Sequence, residues 1–244
     1  MASSLARLSP AAVAGALRTV GATAVGTMLD AANGLAGAGD RALALARGQG
    51  RETVVLPVEV VVLRDEQGVP LIDPGRIAPA LRTAAEVLSS AGIRVHPRPV
   101  LVATEPAPAK ALDPRANRGL LLDDMLGHTE LYRRLSAGPL TAVGAPVTVV
   151  VVRHIDGRTT GCSLGLTANW VICQASLFDP ASPATYDETV LVHELGHALN
   201  LPHHRDPDNL MFPTSSPPGE VRGTGLTRWQ AAVLRTNRHV LPGR

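Results

Sequence analysis

His193-Glu194-Leu195-Gly196-His197-Ala198-Leu199-Asn200-Leu201-Pro202-His203 is the stretch from which the rest of this chain can be read outward. Two histidines four apart on a helix project side by side and can grip one metal ion. The glutamate between them then stands near the metal's open side as a base. Positions 186, 190, 193 and 197 share one helical face while Leu191, Leu195 and Ala198 line another, so the spacing predicts a helix here. Thr185 followed by Glu188 reads as the capping box that opens it. Pro202 prevents that helix from running on. For His203 to swing back toward the same ion, the chain must leave the helix sharply at Asn200. Asparagine is the best non-glycine residue for the positive φ of such an exit.

Eight residues beyond His203 comes Met211, in Asp208-Asn209-Leu210-Met211-Phe212-Pro213. A thioether beneath three imidazoles supplies an adaptable apolar floor that competes weakly for zinc. Taken together, the extended HExxHxxNxxH string and the methionine turn at fitting distance resemble the metzincin zinc metallopeptidases, most closely the matrixin-like and bacterial reprolysin-like types. The resemblance is carried by residues 185 to 213 and extends in architecture over about 52 to 240. Asn200 stands where the family usually has glycine. Pro213 occupies the place where some subfamilies carry a zinc-bound tyrosine, so no tyrosine ligand is expected. No cysteine precedes Cys162, and a cysteine-switch propeptide is therefore not expected either.

The resemblance implies an α+β fold: a twisted, mostly parallel five-stranded sheet with helices, an active-site helix, and a small C-terminal subdomain ending in a helix. It implies one catalytic Zn2+ held by His193, His197 and His203, with Glu194 as general base and Asn200 and Met211 as structural support of the site. A protein or peptide substrate would lie extended along the edge strand before the active helix, near Thr160 to Leu166, touching Ser163, Leu164 and Gly165. Phe212 and Pro213, just after the methionine turn, would wall the pocket beside the zinc. His204 adjoins His203, but the six-residue spacing from His197 favours His203 as the third ligand. A downstream glutamate ligand is disfavoured, because Glu220 lies in the loop-like Pro217-Pro218-Gly219-Glu220. Asp206 and Asp208 either hold the ligand loop to the methionine turn through backbone bonds or form an ordinary solvated turn.

Working outward, Thr53 to Leu63 is a β-branched run that reads as a core strand, ended by a turn at Arg64 to Gly68. Asp73 and Pro74 open a helix with Ile77, Leu81, Ala84 and Leu88 on one face, closed by Gly92. Ile93 to Ala103 is strand-like but interrupted by prolines, and Thr104 to Arg118 has loop composition. A stripe of Leu121, Met125, His128, Tyr132 and Leu135 predicts a second helix, with His128 packed in the core. Pro146 to Ile155 reads as a buried strand, and Thr160 to Leu166 and Asn169 to Ala175 as two short ones. Thr227 and Gln230 cap a last helix whose Leu226, Trp229 and Val233 would pack under the site. His96, His154 and His239 have no partner pattern and are read as structural or exposed. Cys162 and Cys173 either face each other across a sheet as a disulfide or remain two buried thiols.

Among 244 residues, 45% hydrophobic and 18% charged at a mean hydropathy of +0.12, the chain is too apolar for global disorder. The longest charge-free stretches near the N-terminus are too short to span a bilayer. The 23 Lys and Arg against 21 Asp and Glu are spread along the chain, which argues against a nucleic-acid partner. Residues 1–50 are Ala- and Gly-rich with roughly helical spacing, an appendage of pro-segment, export or membrane-surface type, and 51–244 form the catalytic domain. Its apolar run is a poor signal peptide, yet a secreted or cell-envelope location is favoured over the cytoplasm. Two readings of function stay open: a zinc endopeptidase, and a zinc-stabilised binding module of the same fold without turnover.

Overall fold

A computed structural model describes residues 35, 53–109, 111, 129–136, 143–155, 160–163, 169–213 and 222–243. The expected appendage at 1–50, apart from residue 35, lies outside them, as do His128, Leu164 and Gly165. The strands are β1 (Val54–Arg64), β2 (Ile93–Pro97), β3 (Leu101–Pro106), β4 (Val147–Val152), β5 (Gly161–Ser163), β6 (Trp170–Gln174) and β7 (Leu241–Pro242). The helices are α1 (Ala78–Ser89), α2 (Glu130–Leu135), α3 (Thr189–Ala198) and α4 (Arg228–Thr236). Five strands run side by side in the order β2-β1-β4-β6-β5, while β3 and β7 add to the flanks of β1. All pairs are parallel except β5 with β6 and β1 with β7, so the architecture is α+β on a mostly parallel sheet. The chain does not stop at the last helix as expected: after α4 it returns to the sheet as β7.

The valine-rich strands are buried on both faces, which is why they read as continuous apolar runs. Side chains alternate with period two. Leu56, Val58, Val60 and Val62 of β1, Val147, Val149 and Val151 of β4, and Val171 and Cys173 of β6 enter one core with Ala80, Ala84 and Leu88 of α1 and Leu191 and Leu195 of α3. Leu63, Val150, Val152, Trp170, Ile172 and Cys162 face the other way, onto Tyr132 of α2. Each fully buried Val or Leu contributes about 1.5–3 kcal/mol relative to exposure.

The same alternation decides the cysteine question. Cys162 pairs in register with Ile172 and Gly161 with Cys173, so the two sulfurs lie in different cores and form no disulfide with each other. The expected helix after Asp73 begins later, because Asp73 caps a short 3-10 turn at Pro74–Ile77, with Gly75 N–H donating to its Oδ1 at 2.8 Å. Gly92, at φ 75°, then turns the chain into β2, and its carbonyl accepts from Val54 N–H at 3.1 Å. The Pro-rich stretch from Thr104 still extends β3 to Pro106. Among the described residues no helix is long and apolar enough to cross a membrane.

Candidate metal centre

Every residue of α3 is buried, so the helix lies inside the molecule between the sheet and the C-terminal segment. It begins at Thr189, and the predicted capping box is not what opens it. Thr185 Oγ1 donates to the carbonyls of Ser176 and Ser182 instead. Asp187 supplies the cap, its Oδ1 accepting from Thr189 N–H at 2.8 Å and from Thr189 Oγ1 at 2.6 Å. Glu188 points to the neighbouring helix, accepting from Thr83 Oγ1 of α1 at 3.0 Å and from the Tyr186 hydroxyl.

At its other end α3 terminates as its sequence predicted. Asn200 has φ 69° and is the single non-glycine residue with positive φ among those described. Its N–H donates to His197 O and Leu201 N–H to Gly196 O, both at 2.9 Å, the paired bonds of a Schellman ending. The chain thereby reverses, and His203 comes back to the two helical histidines. The nitrogens of His193, His197 and His203 lie within 4.8 Å of one another, the only such group of three metal-ligating side chains among the described residues. His193 and His197 are buried and His203 is partly exposed, leaving the group one side toward solvent.

The backbone sets two of the imidazole tautomers. His193 Nδ1 lies 2.8 Å from Leu210 O, and His197 Nδ1 lies 2.8 Å from Leu201 O. A carbonyl only accepts, so both Nδ1 atoms carry the proton and both Nε2 atoms present a lone pair. His197 Nε2 stands 3.2 Å from His203 Nε2. Two nitrogens bound tetrahedrally at zinc distances are roughly 3.3 Å apart, so this donor set fits the ion its chemistry implies. His204 is not part of the group: its N–H donates to Met211 O at 2.8 Å and its Nδ1 accepts from Asp206 N–H.

Met211 is fully buried beneath the helix. A Cβ placed on Gly196 would fall 2.6 Å from Met211 Sδ, so the glycine between His193 and His197 makes room for the thioether. The turn holding Met211 is itself pinned. Asn209 Oδ1 accepts from Met211 N–H at 2.9 Å, and the Asn209 side-chain amide exchanges two bonds with Gln230 of α4, at 2.8 and 3.0 Å. Gln230 also completes a capping box with Thr227, as expected. Trp229 does not pack under the site: it is 40% exposed, and Gln230, Val233 and Leu234 form the buried face of α4. Asp206 instead forms a local solvent-exposed turn, its Oδ1 accepting from Asp208 N–H and its carbonyl from Asn209 N–H.

Glu194 is 4% exposed and faces the edge strand. A Cβ on Gly161 of β5 would lie 2.8 Å from Glu194 Cγ and 3.0 Å from its Oε1, so a bare backbone is what brings strand and carboxylate together. Burial first, and the Glu194 charge second, push the Cys173 thiol well above its ordinary range, which keeps it a neutral core residue. Ser163 lies in β5 opposite Val171 and is buried, whereas Phe212 is half-buried and Pro213 exposed.

Arg222, which no motif flagged, is 5% exposed beside this site. Its guanidinium donates to Phe212 O at 3.3 Å and sits 3.7 Å from Asp187 Oδ2. Burial lowers its pKa, against the charges of Asp187 and Glu194, which raise it. The remaining histidines are structural or exposed as read: His96 and His154 are exposed, while His239 is buried with Nδ1 2.9 Å from Ala145 O.

The matrixin family model matches residues 155–227, the span that holds β5, α3, all three histidines and the Met211 turn. Among solved structures, metalloproteinase-II from Bacteroides fragilis is similar with a TM-score of 0.46 at 17% identity, covering 75% of this chain and 54% of that one. This chain thus spans about half the length of that protein. No curated protein matches. The matrixin match falls on the residues that carried the metzincin resemblance, and the chain is metzincin-like in that region.

Proposed function

We propose that this chain is a zinc-dependent endopeptidase with His193, His197 and His203 holding one catalytic ion and Glu194 acting as general base. The observation that carries this is the convergence of three imidazoles, with the Nδ1 atoms of His193 and His197 held by backbone carbonyls and His197 Nε2 3.2 Å from His203 Nε2. Zinc held there supplies a Lewis acid that polarises a peptide carbonyl and acidifies water. Glu194 accepts the proton of the attacking water as its oxygen adds to the carbonyl carbon. It then delivers that proton to the amide nitrogen as the C–N bond breaks. Its near-complete burial beside the metal-binding group suits a base that must stay close to the reacting atoms. Substrate runs along β5, whose outer edge has no strand partner among the described residues.

Replacing Glu194 with Gln tests the assignment. Peptide cleavage, read on a peptide library, is expected to fall by about 10²–10⁴ while zinc content by atomic absorption stays at the wild-type value. Unchanged cleavage in Glu194→Gln would remove the base. Full zinc loading of the wild type with no cleavage anywhere in the library would leave the alternative, a zinc-stabilised binding module.

A further inference from the structure

Arg222 is a nearly inaccessible cation, within reach of the Glu194 charge, to which the hydrolysis proposed above assigns no step. Burying a guanidinium is costly unless charge and hydrogen bonds compensate it, so its surroundings show what it holds. One nitrogen donates to the carbonyl of Phe212, the first residue after Met211. Another faces Asp187 Oδ2, and the other oxygen of that carboxylate caps α3 at Thr189. The backbone that follows Arg222 is fixed as well. Gly223 N–H donates to Pro207 O and Gly225 N–H to Asp208 O, and a Cβ on Gly223 would fall 1.9 Å from Asp208 O, so only glycine lets this strand of chain lie against the methionine turn. Arg222 therefore joins the segment leaving the methionine turn to the beginning of the helix that carries two ligands and the base.

Resting on the metal site proposed above, we infer that Arg222 is a positioning residue for substrate selectivity. By clasping Phe212 to Asp187 it fixes how far the chain after the methionine turn stands from the metal-binding histidines, and so which substrate side chain fits beside them. The clasp needs a planar donor that reaches a carbonyl and a carboxylate in two directions. An ammonium on a flexible stem does not reproduce that geometry, so lysine is expected to keep the charge and lose the function.

The test reads binding, not turnover. Zinc-loaded wild type, Arg222→Lys, Arg222→Gln and the charge-neutral pair Arg222→Gln with Asp187→Asn are titrated calorimetrically with acetohydroxamate and with peptide hydroxamates that differ in one side chain beside the chelating group. The wild type is expected to separate the peptides, and each variant to compress that separation at least about five-fold, with acetohydroxamate affinity held within about two-fold. The neutral pair removes the uncompensated buried charge, so it answers the question even where Arg222→Gln alone fails to fold. A wild type that does not discriminate, a variant with the wild-type ranking and spread, or selectivity restored in the neutral pair would each overturn the role. Because hydroxamate binding needs no cleavage, a protein that discriminates yet cleaves nothing would defeat only the endopeptidase assignment. Cleavage lost in Glu194→Gln together with a flat hydroxamate series would defeat only the assignment of Arg222.

Discussion

The sheet and the metal-binding segment are built on different rules. In β1, β4 and β6, valine and its neighbours fill two cores by period-two alternation, and a backbone ladder holds the strands. From Thr189 to Met211 the burial is just as complete at His193, Glu194, His197, Asn200 and Asn209, but these are polar groups, several of them fixed by a named acceptor or donor. A packed apolar face tolerates substitutions of similar volume. A buried polar group that loses its partner is left with its desolvation cost, and its orientation goes with it. Stability is therefore concentrated on the sheet side and geometric accuracy on the metal side.

That division can be broken experimentally. The largest effect is expected from Leu56→Ala at a fully buried position in β1, which should cost about 2–5 kcal/mol in denaturant unfolding. Zinc affinity of the folded protein, by chelator competition, should stay within about two-fold. A parallel loss of zinc affinity would show that the two regions are one unit.

A smaller effect comes from His239, which anchors the segment after α4 to Ala145, just ahead of β4. Burial first, with the Arg238 charge opposing protonation as well, holds its imidazole down at about 4 from an ordinary 6.5. The unfolded chain then binds the proton that the folded chain refuses. Stability should be fully present above pH 6.5 and decline as pH falls toward 4, by at most roughly 3 kcal/mol. In His239→Gln, measured metal-free so that ligand protonation does not enter through zinc release, that part of the acid sensitivity should be missing. An unchanged pH profile would assign acid lability elsewhere.

The smallest change in stability, and the sharpest test of the metal side, is Asn200→Ala. At φ 69° an alanine costs about 1–2 kcal/mol, and the turn that returns His203 should open, so zinc affinity is expected to fall by more than stability does. Asn200→Gly, which accepts this φ freely, should keep zinc affinity nearer the wild-type value. Equal losses in both variants would show that the side chain matters more than the backbone conformation.

Much of this was legible in one dimension because it depends on local periodicity. The five principal strands, the ligand spacing and the exit at Asn200 each rest on residues close in sequence, and the structure places them as the residues demand. The departures occur where distant partners decide. Thr185 and Glu188 have the spacing of a capping box, but Ser176, Tyr186 and Thr83 claim their side chains, and Asp187 takes the role. Trp229 has the spacing of a packed residue, yet the amide pair between Gln230 and Asn209 sets the rotation of α4 and turns the indole outward. Glycines 161 and 196 carried no signal of their own, since what they accommodate, Glu194 and Met211, comes from other elements or a later turn.

The order of residues from 193 to 203 determined that three imidazoles are available and that the helix ends where the third can return, because helical pitch and the φ preference of asparagine are local properties. Only the folded chain decided which nitrogen of each helical histidine faces inward, which carboxylate caps the helix, and that a distant arginine is buried against both sides of the site. Those choices follow from which hydrogen-bonding groups are brought close once water is excluded, and that proximity is a property of the tertiary structure alone.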